Sequence, residues 1–324
     1  MCLYRTNAQS RVFEEHLRRH NIPYRIYGGL SFYQRKEIKD IIAYIRLCVN
    51  PKDDEALKRI INYPKRGIGK TTMEKLTKVA DDNEISLWQV ITQIELKGSH
   101  KRTIGGFIHD IKMMQQKVIV EDAYKASLYI AQKSGIIELL KADSSPEGNS
   151  RIENITALLD AIKEFVEDDE VLPDDEAPED KSLARFLQTI SLMTDADQES
   201  DQVDVVTMMS VHSAKGLEYK SVFVVGLEEN LFPSYMSLSE PGQVEEERRL
   251  FYVAITRAEE MLTLSYANSR YQFGNMRFND VSRFVEELPA SATDSMVLVK
   301  KKEFPQPKII GNFKKVGAGR AALP

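Results

Sequence analysis

The chain has 324 residues, of which 42% are hydrophobic and 29% charged, with 44 Lys and Arg against 49 Asp and Glu. That length can bury two cores, since domains usually run about 100 to 200 residues, and a net charge of −5 excludes a protein that coats nucleic acid through bulk positive charge. Cys2 and Cys48 stand in no C-x-x-C spacing, which excludes a cysteine zinc site and implies no structural metal. No stretch reaches the roughly 18 apolar residues of a membrane span and no signal-like run opens the chain, so a cytoplasmic protein with no membrane partner is expected.

In chain order, Cys2 to Thr6 predicts a short strand and Asn7 a helix cap, ahead of a helix with Val12, Phe13 and Leu17 on one side. Asn21 can end that helix in a left-handed conformation and Pro23 forbids its continuation. Tyr24 to Tyr27 then predicts a second strand stopped by Gly28 and Gly29, which together read as a βαβ unit. From Lys36 the pattern turns helical: Ile38, Ile41, Ile42 and Ile45 share one face before Asn50 and Pro51. Leu57, Ile60 and Ile61 mark another helix, Leu76, Val79 and Ala80 the next, and Ile152, Ile155, Leu158, Leu159, Ile162 and Phe165 a strongly periodic later one. Ten acidic residues between Glu164 and Asp180, with Pro173 and Pro178 among them, predict a self-repelling surface loop. Strands return at Val203 to Met209, Ser221 to Leu227 and Leu262 to Tyr266, with a helix from about Glu245 to Glu260 between the last two. The fold class is therefore α/β, with an all-α domain inserted into one sheet domain. Residues 1–35 and 198–289 make the sheet domain and 36–197 the insertion. The segment 290–324, with seven basic and two acidic residues, reads as a linker or disordered tail.

Two segments concentrate chemistry. TMMSVHSAKGLEY, from Thr207 to Tyr219, runs from one strand into the next and carries His212, Lys215 and Glu218 around the flexible Gly216; ligands in open α/β sheets gather at the carboxyl ends of strands, which is where these side chains are expected. EEERRLFYVAITRAEE, from Glu245 to Glu260, buries Leu250, Val253 and Ala254 and leaves Arg257 on a helix otherwise rich in acids. A third segment, PKRGIGKTT from Pro64 to Thr72, imitates a phosphate-binding loop but fails it: G-x-x-x-x-G-K-[ST] requires glycine five positions before Gly69, where Pro64 stands. It lies between two predicted helices, with Thr71 and Glu74 as a capping box for the second. A helix-hairpin-helix fits better, Gly67 and Gly69 letting backbone amides approach a phosphate while Lys65, Arg66 and Lys70 add charge. DEAP at Asp175 to Pro178 and GAGRAA at Gly317 to Ala322 follow no strand and carry no site.

In their order and separation the first two segments resemble motifs V and VI of the superfamily 1 DNA helicases of the UvrD, PcrA and Rep kind. YRTNAQSR at Tyr4 to Arg11, GGLSFYQRKEIKD at Gly28 to Asp40 and PKRGIGKTT resemble further segments of that family in the same order. The resemblance implies a RecA-like parallel-sheet domain (2A) interrupted by a helical insertion (2B), the carboxy-terminal half of an ATP-dependent 3′-to-5′ helicase. It implies Arg257 as an arginine finger on the γ-phosphate, Glu218 as a ribose contact and Lys215 as a further candidate nucleotide contact. It places Arg5, Asn7, His212 and Phe273 along single-stranded DNA, and the hairpin residues Lys65, Arg66, Gly67, Gly69, Lys70 and Thr71 on duplex DNA ahead of a junction. Ser234, in LFPSYMS, stands where such helicases carry a DNA-contacting His, and keeps only a hydroxyl. No P-loop, strand-borne DExx pair or QNYRS-type segment occurs, so the chain is expected to begin inside a domain and to be inactive as an ATPase alone. The implied partners are the missing amino-terminal half (1A and 1B), single-stranded DNA with a duplex junction, and repair or replication proteins; ATP with Mg2+ belongs to the full-length protein. The competing reading is an ATPase-free adaptor that binds DNA junctions or regulates a partner. A helicase-nuclease subunit would need a carboxylate and lysine motif that the tail lacks.

Overall fold

A computed structural model describes residues 1–93, 99–167, 180–194, 204–238, 242–272 and 274–294. The chain opens with β1 (Cys2–Tyr4), α1 (Ser10–Arg19) and β2 (Tyr24–Ile26). Nine helices follow among the described residues: α2 (Lys36–Val49), α3 (Asp54–Ile60), α4 (Lys70–Asn83), α5 (Leu87–Gln93), α6 (Ser99–Val120), α7 (Ala123–Lys133), α8 (Ile136–Lys141), α9 (Pro146–Glu167) and α10 (Leu183–Thr194). Strands then resume with β3 (Val206–Ser210) and β4 (Tyr219–Val225), then α11 (Tyr235–Leu238), α12 (Gln243–Ile255) and β5 (Ala258–Ser265). A hairpin of β6 (Arg270–Gln272) and β7 (Asn275–Arg277) and the short α13 (Arg283–Glu286) close the series. Met1–Glu287 form one compact unit and Leu288–Pro324 a second, of which the described part holds a single 3-10 turn, Ala290–Ala292.

The five-stranded sheet has the order β2-β3-β1-β4-β5, and every pairing is parallel. β1 is its centre and is buried along its whole length, as a strand covered on both faces must be. Its neighbours come from the far end of the chain: Cys2 aligns with Met208 on one side and Phe223 on the other. The expected βαβ unit is therefore opened, because β3 sits between β1 and β2. Both ends of the chain are needed for one sheet.

Two aliphatic clusters are distinct. One runs from Phe32 to Ile190 and is built wholly from the helical segment and its entry; the other gathers Cys2, Tyr4, Met208 and Val225, with Phe13, Leu17 and Val206 packed against them. Between the two lies a polar seam. The buried Arg35 donates to the carbonyl of Asn7 (3.0 Å), to Ser10 Oγ (2.7 Å) and to Asn154 Oδ1 (2.8 Å), while Asn154 Nδ2 donates to Glu37 (2.6 Å). Arg11 bridges Glu15 and, on α9, Glu164 at 2.8 and 2.9 Å. Arg11 is the buried member of these pairs, so removing its partners would leave its charge poorly solvated. Much of the GGLSFYQRKEIKD segment is thus occupied in joining the sheet to the helices.

Several local expectations need correction. Asn7 caps no α-helix: Thr6 and Gln9 form a capping box over a 3-10 turn at Asn7–Gln9, and α1 starts at Ser10. Asn21 does take the left-handed conformation, with φ of 54°. The helix expected to reach Glu260 stops at Ile255. Ala258 and Glu259 are helix formers by propensity, but parallel pairing of Tyr219 with Ala258 and Ser221 with Met261 draws this stretch into β5. The first turn of α4 is capped by Gly69, with no side-chain cap, so Thr71 lies inside the helix and forms no capping box. The acidic loop falls largely, and the basic tail almost wholly, outside the described residues.

Candidate nucleotide and nucleic-acid sites

A parallel sheet has two chemically different edges, and this one places candidate residues on both. Along the carboxyl edge, Arg5 follows β1 by one residue and His212 follows β3 by two. At the opposite, amino edge, Glu218 immediately precedes β4 and Arg257 immediately precedes β5. Of the residues expected together at the carboxyl end, His212 lies there, whereas Glu218 lies at the amino edge. β3 and β4 flank β1 in parallel, so the connection between them must return from one edge to the other. Val211 anchors its start by donating to the Tyr4 carbonyl (2.9 Å), a 3-10 turn carries His212–Ala214, and Ala214 is fully buried. Gly216 completes the return at φ of 84°, a left-handed value that glycine adopts without strain.

At the amino edge the two segments meet. The Tyr219 amide donates to the Arg257 carbonyl at 2.9 Å, and Arg257 Nη1 donates to the Leu217 carbonyl at 3.1 Å. Arg257 Nε donates to Val253 O and Nη2 to Thr256 Oγ1, both at 3.0 Å. Every one of these acceptors is neutral, and Arg257 makes no ion pair among the described residues, so its charge is held in place without being cancelled. Glu218, next to Leu217, and Lys215 are exposed. Among the described residues no group of three or more His, Cys, Asp or Glu could hold a metal ion. The edge thus presents one guanidinium and one carboxylate.

The carboxyl edge is arranged differently. Arg5 is gripped by Glu247 of α12: Nε lies 3.0 and 2.9 Å from its two carboxylate oxygens and Nη2 2.5 Å from one of them. Asn7 is exposed at the start of its 3-10 turn, and His212 is exposed nearby. Burial first, then the charge of Arg5, hold the His212 imidazole below its usual value of 6.5. Ser234 is 8% exposed, and its amide lies 3.4 Å from Glu247 Oε2; this serine is tucked under the edge instead of facing outward. Phe273 lies outside the described residues. Its neighbour Gly274, at φ of 74°, donates to Asp160 of α9 at 2.7 Å.

The hairpin between α3 and α4 separates its cations into two kinds. Arg66 turns inward, donating to the carbonyls of Ile60 (3.1 Å), Pro64 (3.2 Å) and Ser134 (3.3 Å) and to Tyr44 Oη (2.7 Å), with its guanidinium 5.2 Å from the Phe107 ring centroid. Its donors are thus largely engaged by the fold, although, as at Arg257, every acceptor is neutral and the charge is not cancelled. Lys65 and Lys70 are exposed, Lys70 only loosely paired with Glu74 at 3.8 Å. Asn62 Oδ1 accepts from the amides of Arg66 and Ile68 and shapes the loop. Gly67, at φ of 75°, and Gly69 face open space within 4 Å of where a Cβ would stand, so a ligand can approach the backbone closely. Two positioning residues escaped sequence reading, Glu247 and Asn62. An acid in an acid-rich helix start and an Asn before a Pro turn carry no signal of burial.

The family described as the UvrD-like helicase C-terminal domain matches residues 1–269. The chain belongs to that family. It is 42% identical over 303 residues to the ATP-dependent DNA helicase PcrA of Bacillus subtilis, covering 91% of this chain and 40% of that protein. It is 43% identical over 291 residues to DNA helicase II of Haemophilus influenzae, covering 89% and 39% respectively. To DNA helicase II of Salmonella typhimurium it is 39% identical over 303 residues, 91% and 41%. This UvrD-like chain thus spans about two fifths of the length of these curated relatives, and it corresponds to their carboxy-terminal part.

Proposed function

We propose that this chain is the carboxy-terminal motor lobe of an ATP-dependent 3′-to-5′ DNA helicase, completing an ATP site whose phosphate cradle lies on a second lobe. The observation that carries this reading is the meeting of Arg257 and Glu218 at one edge of the sheet, the guanidinium held only by neutral acceptors. A planar, permanently charged group so held suits the charge that spreads over phosphoryl oxygens in the transition state. Glu218 would accept from the ribose and orient the nucleotide, and Lys215 stands close enough in sequence to assist. Mg2+ would be held by the phosphates and the other lobe.

On the carboxyl edge, Asn7, His212 and the remaining donor of Arg5 would contact the backbone of single-stranded DNA without reading sequence. Lys65, Lys70 and the open backbone at Gly67 and Gly69 would hold duplex phosphates. Linking the two edges are the connection 211–218 and α12, so closure of the ATP site can be felt on the DNA track. The adaptor reading uses the same DNA contacts but leaves the uncancelled Arg257 charge beside Glu218 without a purpose.

The purified chain tests this directly. It should bind oligo(dT) with an affinity that falls as salt rises, and hydrolyse no ATP above background with DNA present. Robust hydrolysis by the chain alone contradicts the two-lobe site, and failure to bind oligo(dT) even at low salt contradicts the track.

A further inference from the structure

Glu247 is 3% exposed and holds three groups at once: the Arg5 guanidinium through both carboxylate oxygens, the Ser234 amide at 3.4 Å and the Ser237 hydroxyl at 3.2 Å. These belong to the segment after β1, the loop after β4 and α11, all at the carboxyl edge. Its charge also acts on His212. Glu247 lies in the first turns of α12, and Arg257 follows the same helix by two residues beyond its end. The eight helical steps from Glu247 to Ile255 correspond to about 12 Å at 1.5 Å per residue, and they run from the carboxyl-edge cluster toward the amino edge. α12 is fixed against rotation by Phe251, which stacks on Phe284 at 5.6 Å and meets Phe232 edge-on at 6.1 Å.

Resting on the helicase reading above, we infer that Glu247 is a positioning residue for single-stranded DNA: it orients Arg5 and the 234–237 loop as one unit and ties that unit to the helix that leads into Arg257. The bidentate pair uses Nε and Nη2 of Arg5 and leaves Nη1 as the donor for a phosphate, in an orientation set by the buried acid, with the Glu153 carboxyl also acting on the guanidinium. A guanidinium fixed in this way loses less freedom on binding than one on a free stem. The carboxylate thus promotes DNA binding although its own charge opposes DNA.

That opposition gives the test its sign. Removing a negative charge beside a DNA track should tighten binding if electrostatics alone acts, and leave it unchanged if Glu247 only supports the fold. Positioning predicts the reverse. In the full-length protein, Glu247→Gln retains shape and one acceptor. It should raise the oligo(dT) concentration for half-maximal ATPase stimulation about tenfold, the size of one lost charge-assisted contact of about 1.5 kcal/mol. Arg5→Gln should produce a similar loss, and the double variant should be no worse than either single one, because both remove the same contact. The double variant removes the Arg5–Glu247 pair as a whole but takes from Glu153 the cation that favours its charged form, so thermal unfolding of each variant separates a loss of fold from a loss of DNA contact. Unchanged or tighter DNA dependence in Glu247→Gln, or losses that multiply in the double variant, overturn the positioning role while leaving the helicase reading intact. ATPase activity in the unsubstituted protein that DNA does not stimulate at all removes that reading and this inference together.

Discussion

The two edges of the sheet each offer an arginine, and the difference between them is instructive. Arg257, at the amino edge, is steadied by two backbone carbonyls and a hydroxyl, none of which cancels its charge. Arg5, at the carboxyl edge, is paired in bidentate fashion with a buried carboxylate, so what it offers is chiefly one donor in a fixed direction. A group that must stabilise developing charge needs its own charge uncompensated. One that must hold a sliding backbone does better with moderate attraction and fixed geometry, because a contact that is too strong would resist movement along DNA.

The sharpest way to break this contrast is Arg257→Lys in the full-length protein. It keeps the charge and loses the planar fork, and turnover should fall about 10²-fold; a wild-type rate would mean that charge alone suffices at the amino edge. Reversing the exposed hairpin cations, Lys65→Glu with Lys70→Glu, should lower the salt slope of junction binding by about 2, roughly 0.9 for each lost phosphate contact, with a smaller change on single strands. Equal changes on both substrates would remove the hairpin from the duplex. Arg66→Ala should behave otherwise, destabilising the fold by about 2 to 3 kcal/mol through the carbonyls it leaves unpaired. Thermal unfolding distinguishes it from Lys65→Ala, which should leave the melting temperature unchanged.

The smallest effect concerns His212. Its pKa is lowered, so the folded chain binds fewer protons than the unfolded chain near and below pH 6.5; the neutral form's contribution to stability is present above that value and is lost as pH falls. Phosphate favours the protonated ring. Single-strand affinity should therefore rise about twofold to fivefold between pH 7.5 and 5.5, beyond any change shown by His212→Gln. Parallel pH profiles for the two proteins would take His212 off the track.

What was legible in the sequence follows from the range of the forces involved. Periodicity marked α2 and α9 because a buried helical face repeats locally, and the apolar runs marked β3 and β4 for the same reason. The strand order was not legible: β1 lies between two strands some 200 residues away, and nothing local in Cys2–Tyr4 states its neighbours. The sequence places Arg257 on a helix that the structure ends at Ile255, because Ala258 and Glu259 favour helices until β4 pairs with them. Arg66 looked like its neighbours Lys65 and Lys70, since a run of basic residues does not reveal which one turns inward. Glu247 sat unnoticed among Glu245 and Glu246, distinguished only by burial.

The central claim is that this lobe presents a guanidinium to a triphosphate bound on another lobe. Single-turnover hydrolysis, measured beside nucleotide affinity in the full-length Arg257→Ala protein with saturating single-stranded DNA, tests it most directly. The rate should fall about 10³-fold or more while nucleotide affinity changes by only a small factor; hydrolysis at the wild-type rate would contradict the account.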